Sequence, residues 1–268
     1  MTQNRTHREE DDPSPGLLAA VGVSKFFGHV TALQNVDFDV CAGEVHAVVG
    51  DNGAGKSTLI KILSGAEQPS SGAIYLNQDE VRFPTPSAAM AAGIATVHQN
   101  LALVPTMSIA ENMFLGRENT RYGLLQKSKM AQASSQMMSS LRQMNIADIH
   151  AECQDLSGGQ RQAIAIARGV DRASGVLILD EPTAALGVRE SASVISLIDD
   201  LKVSGRTTII LISHNMPEVL QVADRITVLR NGMKVGTVDS DQVDQNELVS
   251  MITGLVAAGL RRAPESSQ

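Results

Sequence analysis

No apolar run in this chain reaches the roughly 18 residues that a membrane-spanning helix needs; the best candidates, Ile209 to Ile212 and Val176 to Leu179, are the size of strands. A secretion signal is missing too, because residues 1 to 15 carry acids and no apolar centre. So is a basic excess: the formal net charge is -7, which argues against nucleic-acid binding through a basic face. Cysteine is scarce. Cys41 and Cys153 stand far apart in a chain with no secretory signal, so thiols are expected and a disulfide framework is not. No His/Cys cluster has metal-ligand spacing, and there is no internal repeat. What remains is a chain with 43% hydrophobic residues, able to bury a core, and read as cytosolic.

Residues 1–16 are polar and Pro-rich at their end and are expected to form a disordered tail. The segment from Leu17 to Lys25 and that from Val36 to Val40 read as strands, and Glu44 to Val49 reads as a buried strand entering a glycine loop. From about 101 to 158 the β-branched runs give way to Met, Ser, Gln and Ala at helical spacing, as at Ile109 and Met113 and at Met137, Leu141 and Met144. This reads as a helical lobe inserted into an α/β core. Beyond it helices alternate with apolar strands: helix Gly159–Gly169, strand Val176–Asp180, helix Ser191–Val203 and strand Thr207–Ile212, the order of a parallel sheet. Asn231-Gly232 between Arg225–Arg230 and Met233–Val238 predicts a hairpin. The folded domain spans 17–254, and 255–268 reads as a tail.

Three motifs carry chemistry. The first is Gly50-Asp51-Asn52-Gly53-Ala54-Gly55-Lys56-Ser57, followed by Thr58, between a strand and a helix. Glycines let successive N–H groups converge on phosphates, the helix start adds its positive end, Lys56 neutralises charge and Ser57 suits Mg²⁺. A chance match in a chain this long is roughly one in a hundred. The alternative, an ordinary glycine-rich turn, does not account for the flanking strand and helix.

The second motif is the buried strand ending in Asp180 and Glu181, at the sheet edge where α/β folds place ligands. Asp180 would hold the Mg²⁺ shell and Glu181 would polarise an attacking water. Alone, a strand ending in acids is common; after the phosphate loop it gains meaning. His214 follows the next strand, and although lone histidines are mostly structural or solvated, this position suits a γ-phosphate contact. The third motif is Leu156-Ser157-Gly158-Gly159-Gln160 opening a helix, with Ser157 as its cap.

Together these residues make the chain similar, from about Leu18 to Gly254, to the ATP-binding subunits of ABC transporters. The resemblance implies an α/β P-loop NTPase cassette with a mostly parallel core sheet, an N-terminal antiparallel β subdomain and an inserted helical lobe. It implies ATP and Mg²⁺ as cofactors. It implies that Ser157, Gly158, Gly159 and Gln160 cap the γ-phosphate of ATP held by a second subunit, that Gln99 contacts Mg²⁺ and links core to lobe, and that His214 is the switch histidine. Phe27 would stack on adenine, with Phe26 as competitor and a core aromatic as the plain alternative. One position departs from the family: Gly187 follows Leu186 where an aspartate usually helps join the subunits.

The stretches His98 to Pro105 and Met107 to Gly116, with Ile212 to Met216, resemble monosaccharide importers of the ribose, xylose and fructose type. One cassette supplies half of each ATP site, so the resemblance implies a second ATPase subunit, expected to be an identical chain, and a dimer beneath membrane permease subunits. A solute-binding protein would act indirectly, no nucleic acid is expected, and the place implied is the cytoplasmic face of the cell membrane. The solute itself is not written in the chain. Competing readings are a cassette for another solute or for export, a soluble ABC ATPase, and a kinase or GTPase. The last leaves Leu156–Gln160 without a purpose.

Overall fold

The computed structural model describes residues 16–140 and 148–255. The expected tails, but for Gly16 and Leu255, and the helical positions Leu141 and Met144 lie outside the described residues. The chain opens with two long antiparallel strands, β1 (Leu18–Phe27) and β2 (Val30–Val40). β3 (Val45–Val49) enters the core and runs through the glycine loop into α1 (Lys56–Leu63). β4 (Ser71–Leu76) and β5 (Asp79–Val81) then return to the first pair, completing an antiparallel sheet ordered β2-β1-β4-β5. α2 (Pro86–Ala91) leads to β6 (Ile94–Val97).

The lobe follows as α3 (Ile109–Phe114), β7 (Thr120–Arg121), β8 (Leu124–Leu125) and α4 (Lys127–Ser140). The core resumes with α5 (Gly158–Arg172), β9 (Val176–Asp180), α6 (Val188–Ser204) and β10 (Thr208–Ile212). α7 (Met216–Val222), the hairpin β11 (Arg225–Arg230) and β12 (Met233–Asp239), and α8 (Gln245–Thr253) close the described chain.

The core sheet has six strands in the order β12-β11-β3-β10-β9-β6, parallel except for β12, which pairs antiparallel at one edge. Its strands read as unbroken apolar runs because both faces are covered. Val176 and Ile178 of β9 and Ile210 and Ile212 of β10 pack toward α1 and the antiparallel sheet. Leu177, Leu179, Ile209 and Leu211, pointing the other way, pack with α5, α6 and the lobe. Each such buried side chain contributes about 1.5–3 kcal/mol of hydrophobic stabilisation.

Local signals explain the element starts. Ser108 and Glu111 form a capping box for α3, and Asp244 and Glu247 form one for α8, a helix the apolar pattern alone did not predict. The lobe departs from a purely helical expectation by the β7–β8 hairpin. Tyr122 at φ 52° and Gly123 at φ 80° make a turn with two positive φ values, and strands this short leave no periodicity to read. α6 begins at Val188, three residues before the expected Ser191, because Glu190 reaches back to cap it. Among the described residues no helix is long and apolar enough to cross a membrane.

Candidate functional site

The parallel register brings the ends of four strands level. Ile212 of β10 pairs with both Val48 of β3 and Asp180 of β9, and Val97 of β6 pairs with Leu179. The residues just past those ends therefore share one edge of the sheet: Gly50, Gln99, Glu181 and His214.

The loop after β3 is shaped by close approaches. A Cβ at Gly50 would lie 2.2 Å from the Leu229 carbonyl oxygen. Gly55, at φ 103°, would collide with Leu33 and with the Ala32 carbonyl oxygen. Ala54 N–H donates to Asp51 O at 3.0 Å, tightening the loop. The Lys56 ammonium folds back onto it, donating to Gly50 O at 2.7 Å and Asp51 O at 3.0 Å. Burial pushes this ammonium below its ordinary value, against the pull of Glu181, Asp51 and Asp180. Asp51, Asn52, Gly53 and Ser57 are exposed, and Thr58 is half-buried.

The loop also has a roof that sequence reasoning missed. Gly232, in the Asn231-Gly232 turn of the β11–β12 hairpin, donates its N–H to Ala54 O at 3.1 Å and accepts from Gln34 N–H at 2.8 Å. The turn was legible as a hairpin; its seat over the loop comes from packing between the two sheets.

Beside the loop stand the acids. Burial raises Asp180 above the ordinary carboxylate value and the adjacent Glu181 adds to this, while His98, Lys56 and Lys61 oppose it. Glu181 sits at φ 50°, a strained conformation for a non-glycine, held by its N–H donating to Ile212 O at 2.9 Å. His214 Nδ1 lies 3.0 Å from Glu181 Oε2. Ser57, Asp180 and Gln99 offer hard oxygen donors, the kind Mg²⁺ takes while keeping waters and phosphate oxygens in its shell. Two neighbouring acids, one of them raised, are an arrangement that a cation would relieve.

The Leu156–Gln160 turn is brought to a different place. Ser157 caps α5, its Oγ accepting from Gln160 N–H at 3.3 Å while Gln160 Oε1 accepts from Ser157 N–H at 2.9 Å. Arg161 Nη1 donates to Leu156 O at 2.5 Å. Among the described residues no hydrogen bond or ion pair joins this turn to the Gly50–Ser57 loop. Its neighbour is Glu190 of α6, whose Oε1 accepts from Gly159 N–H at 3.3 Å, a contact no sequence signal indicated. Gly187 serves as the backbone N-cap of α6 with no side chain to contribute.

Phe26 is 49% and Phe27 45% exposed, so neither is a core aromatic. The Lys25 ammonium lies 4.9 Å from the centre of the Phe27 ring. Farther along, Thr183 Oγ1 donates to Glu218 Oε2 at 2.5 Å, tying the loop after Glu181 to α7. Arg168 of α5 donates to Leu101 O at 2.6 Å and Ala102 O at 3.1 Å, joining α5 to the segment after Gln99.

Residues 33–184 match the family model described as ABC transporter. The chain is 46% identical over 245 residues to the fructose import ATP-binding protein FrcA of Rhizobium meliloti, covering 89% of this chain and 94% of that one. It is 42% identical to the xylose/arabinose import ATP-binding protein XylG of Sulfolobus acidocaldarius, over 88% of this chain and 94% of that one. The ribose import ATP-binding protein RbsA of Chromobacterium violaceum is 43% identical over 87% of this chain, which spans only 46% of that relative's length. Among solved structures, a nucleotide-free ATP-binding cassette from an ABC transporter matches with a TM-score of 0.72 at 22% identity, over 88% of this chain and 95% of that one. A dimeric cassette bound to ADP and Pi matches with a TM-score of 0.68 at 22% identity, over 83% and 98%. At such identities the likeness speaks for the fold.

Proposed function

Since this chain belongs to the ABC transporter family of ATP-binding proteins, we propose that it is the ATP-hydrolysing subunit of an importer for a simple sugar, working as a dimer on the cytoplasmic face of the membrane beneath permease subunits. The observation that carries the reading is the convergence, on one sheet edge, of the Gly50–Ser57 loop, Asp180, Glu181 and a His214 ring nitrogen 3.0 Å from the Glu181 carboxylate. Similarity to sugar import proteins, along nearly the whole length of two of them, supports the solute class.

In this reading residues 17–254 form the working domain, with the lobe at about 101–158. The loop amides of Gly50 to Lys56 and the α1 start cradle the phosphates, and Lys56 exchanges its two loop carbonyls for phosphate oxygens. Mg²⁺, held by Ser57 and Gln99 and through water by Asp180, would neutralise charge on the transferred phosphate. Glu181 takes a proton from the attacking water, and His214 fixes the carboxylate and reaches the terminal phosphate. Phe27 supplies a ring for adenine beside Lys25. Ser157, Gly158, Gly159 and Gln160 cap the nucleotide of a second copy, which is why the turn stands apart from its own chain's loop. Closure around ATP drives the permease and hydrolysis resets it; a solute-binding protein acts upstream.

The test is Glu181→Gln, which keeps the side-chain shape and removes the base. Size-exclusion chromatography of this variant with Mg·ATP should show a stable dimer. A monomer at every ATP concentration sinks the two-subunit reading.

A further inference from the structure

Glu190 lies on the first turn of α6, and its carboxylate serves two helix starts at once. Oε2 accepts from the Gly187 N–H at 3.3 Å, which caps α6. Oε1 accepts from the Gly159 N–H at 3.3 Å, at the start of α5. With glycine at 187 the cap residue offers no oxygen of its own, and Glu190 is the carboxylate that reaches back. The two glycines of the α5 turn make room for it. A Cβ at Gly159 would come within 3.0 Å of the Glu190 Cβ, and one at Gly158 within 3.3 Å of its Oε2. The Gly159 amide, the Ser157 hydroxyl and the Gly187 amide together hold the carboxyl below its ordinary value, and Arg161 adds to this.

The Gly159 amide and the Ser157 hydroxyl are the donors on which the proposed function seats a phosphate from the partner's nucleotide. In the separate subunit they already face an anion from their own chain. We propose that Glu190 is a positioning residue of the two-subunit site, holding these donors in place of the phosphate until the phosphate displaces it. The inference rests on the two-subunit reading. It makes subunit joining a substitution of one anion for another: the carboxylate keeps its bond to Gly187, gives up Gly159, and no donor is left bare before the nucleotide arrives. A carboxylate left close to the incoming phosphate would repel it, so the exchange raises the ATP concentration needed to join the subunits.

Glu190→Gln separates these effects, because glutamine retains the capping bond to Gly187 and loses the charge. In a Glu181→Gln background, sedimentation velocity across a Mg·ATP titration should show half-dimerisation at an ATP concentration lower by on the order of tenfold than with Glu181→Gln alone. Nucleotide binding to the separate subunit and the melting temperature are the controls for a merely structural effect. An equal or higher ATP requirement in the double variant overturns the proposal. A Glu181→Gln protein that stays monomeric at all ATP concentrations overturns instead the reading on which it stands. Should glutamine prevent folding, Glu190→Asp, one methylene shorter and unable to span both amides, should lower the requirement in the same direction; no change there is equally fatal.

Discussion

The Gly50–Ser57 loop is held from several sides, whereas the Leu156–Gln160 turn is held from few. Beneath the loop, β3 is buried along its whole length, and above it Gly232 bonds to Ala54 while Gln34 bonds to Gly232. Lys56 ties the loop from within, and Asp180 and Glu181 stand beside it. The other turn has its own capping box, one arginine and one carboxylate, and its Ser157 is exposed. Both turns pair glycines with a helix start, so their local chemistry is alike. Their surroundings differ: the first is braced on several sides by its own chain, and the second, which in the proposed function serves the nucleotide of another copy, meets one carboxylate from α6.

Substitutions can break that comparison. Lys56→Ala should have the largest effect, lowering ATP turnover by at least about a thousandfold through loss of the charge that faces the phosphates. Near-normal turnover would refute the assignment of the loop. A mixing experiment comes next. Ser157→Arg should silence the cap as Lys56→Ala silences the loop, each alone leaving a homodimer with no whole site. Equal mixing lets a heterodimer assemble one intact site from the unaltered halves, so turnover should return to about a quarter of the unmodified value. If the mixture stays as inactive as its components, the turn does not act across subunits.

The smallest effect concerns the base of the loop. His46 on β3 is fully buried, its Nε2 2.8 Å from Thr227 Oγ1 and its Nδ1 2.8 Å from Glu44 Oε1, with the Phe38 ring edge against it. Burial pushes the imidazole below its ordinary value, against the pull of Glu44. The unfolded chain therefore binds a proton that the folded chain refuses. The associated stability is fully present above a pH of about 6.5 and is lost as pH falls, with a slope of at most about 1.4 kcal/mol per pH unit. Thermal unfolding between about pH 7 and pH 5.5 should show this decline. In His46→Gln it should be visibly shallower, and an unchanged slope would show that the acid response arises elsewhere.

Much of this architecture was legible because it is local. The apolar runs of β9 and β10, the Asn231-Gly232 turn and the glycine loop between a strand and a helix each declare themselves within a few residues. What escaped was non-local or too short. The β7 and β8 strands are two residues each, below any periodicity. The Glu190–Gly159 contact spans thirty-one positions and depends on how α6 lies against α5. The roof over the phosphate loop depends on two sheets meeting, which no window of sequence contains.

The Asn231-Gly232 turn has a bearing on how this protein can be altered. Two-residue surface turns are ordinarily where a chain accepts an added peptide, a fluorescent domain or a new terminus. Asn231 is exposed and looks like such a place, but Gly232 is buried, and a Cβ there would press within 2.9 Å of the Ala32 carbonyl oxygen. A graft at that turn would lift the lid from the phosphate loop, so the neatest hairpin in the sequence is the wrong place to cut.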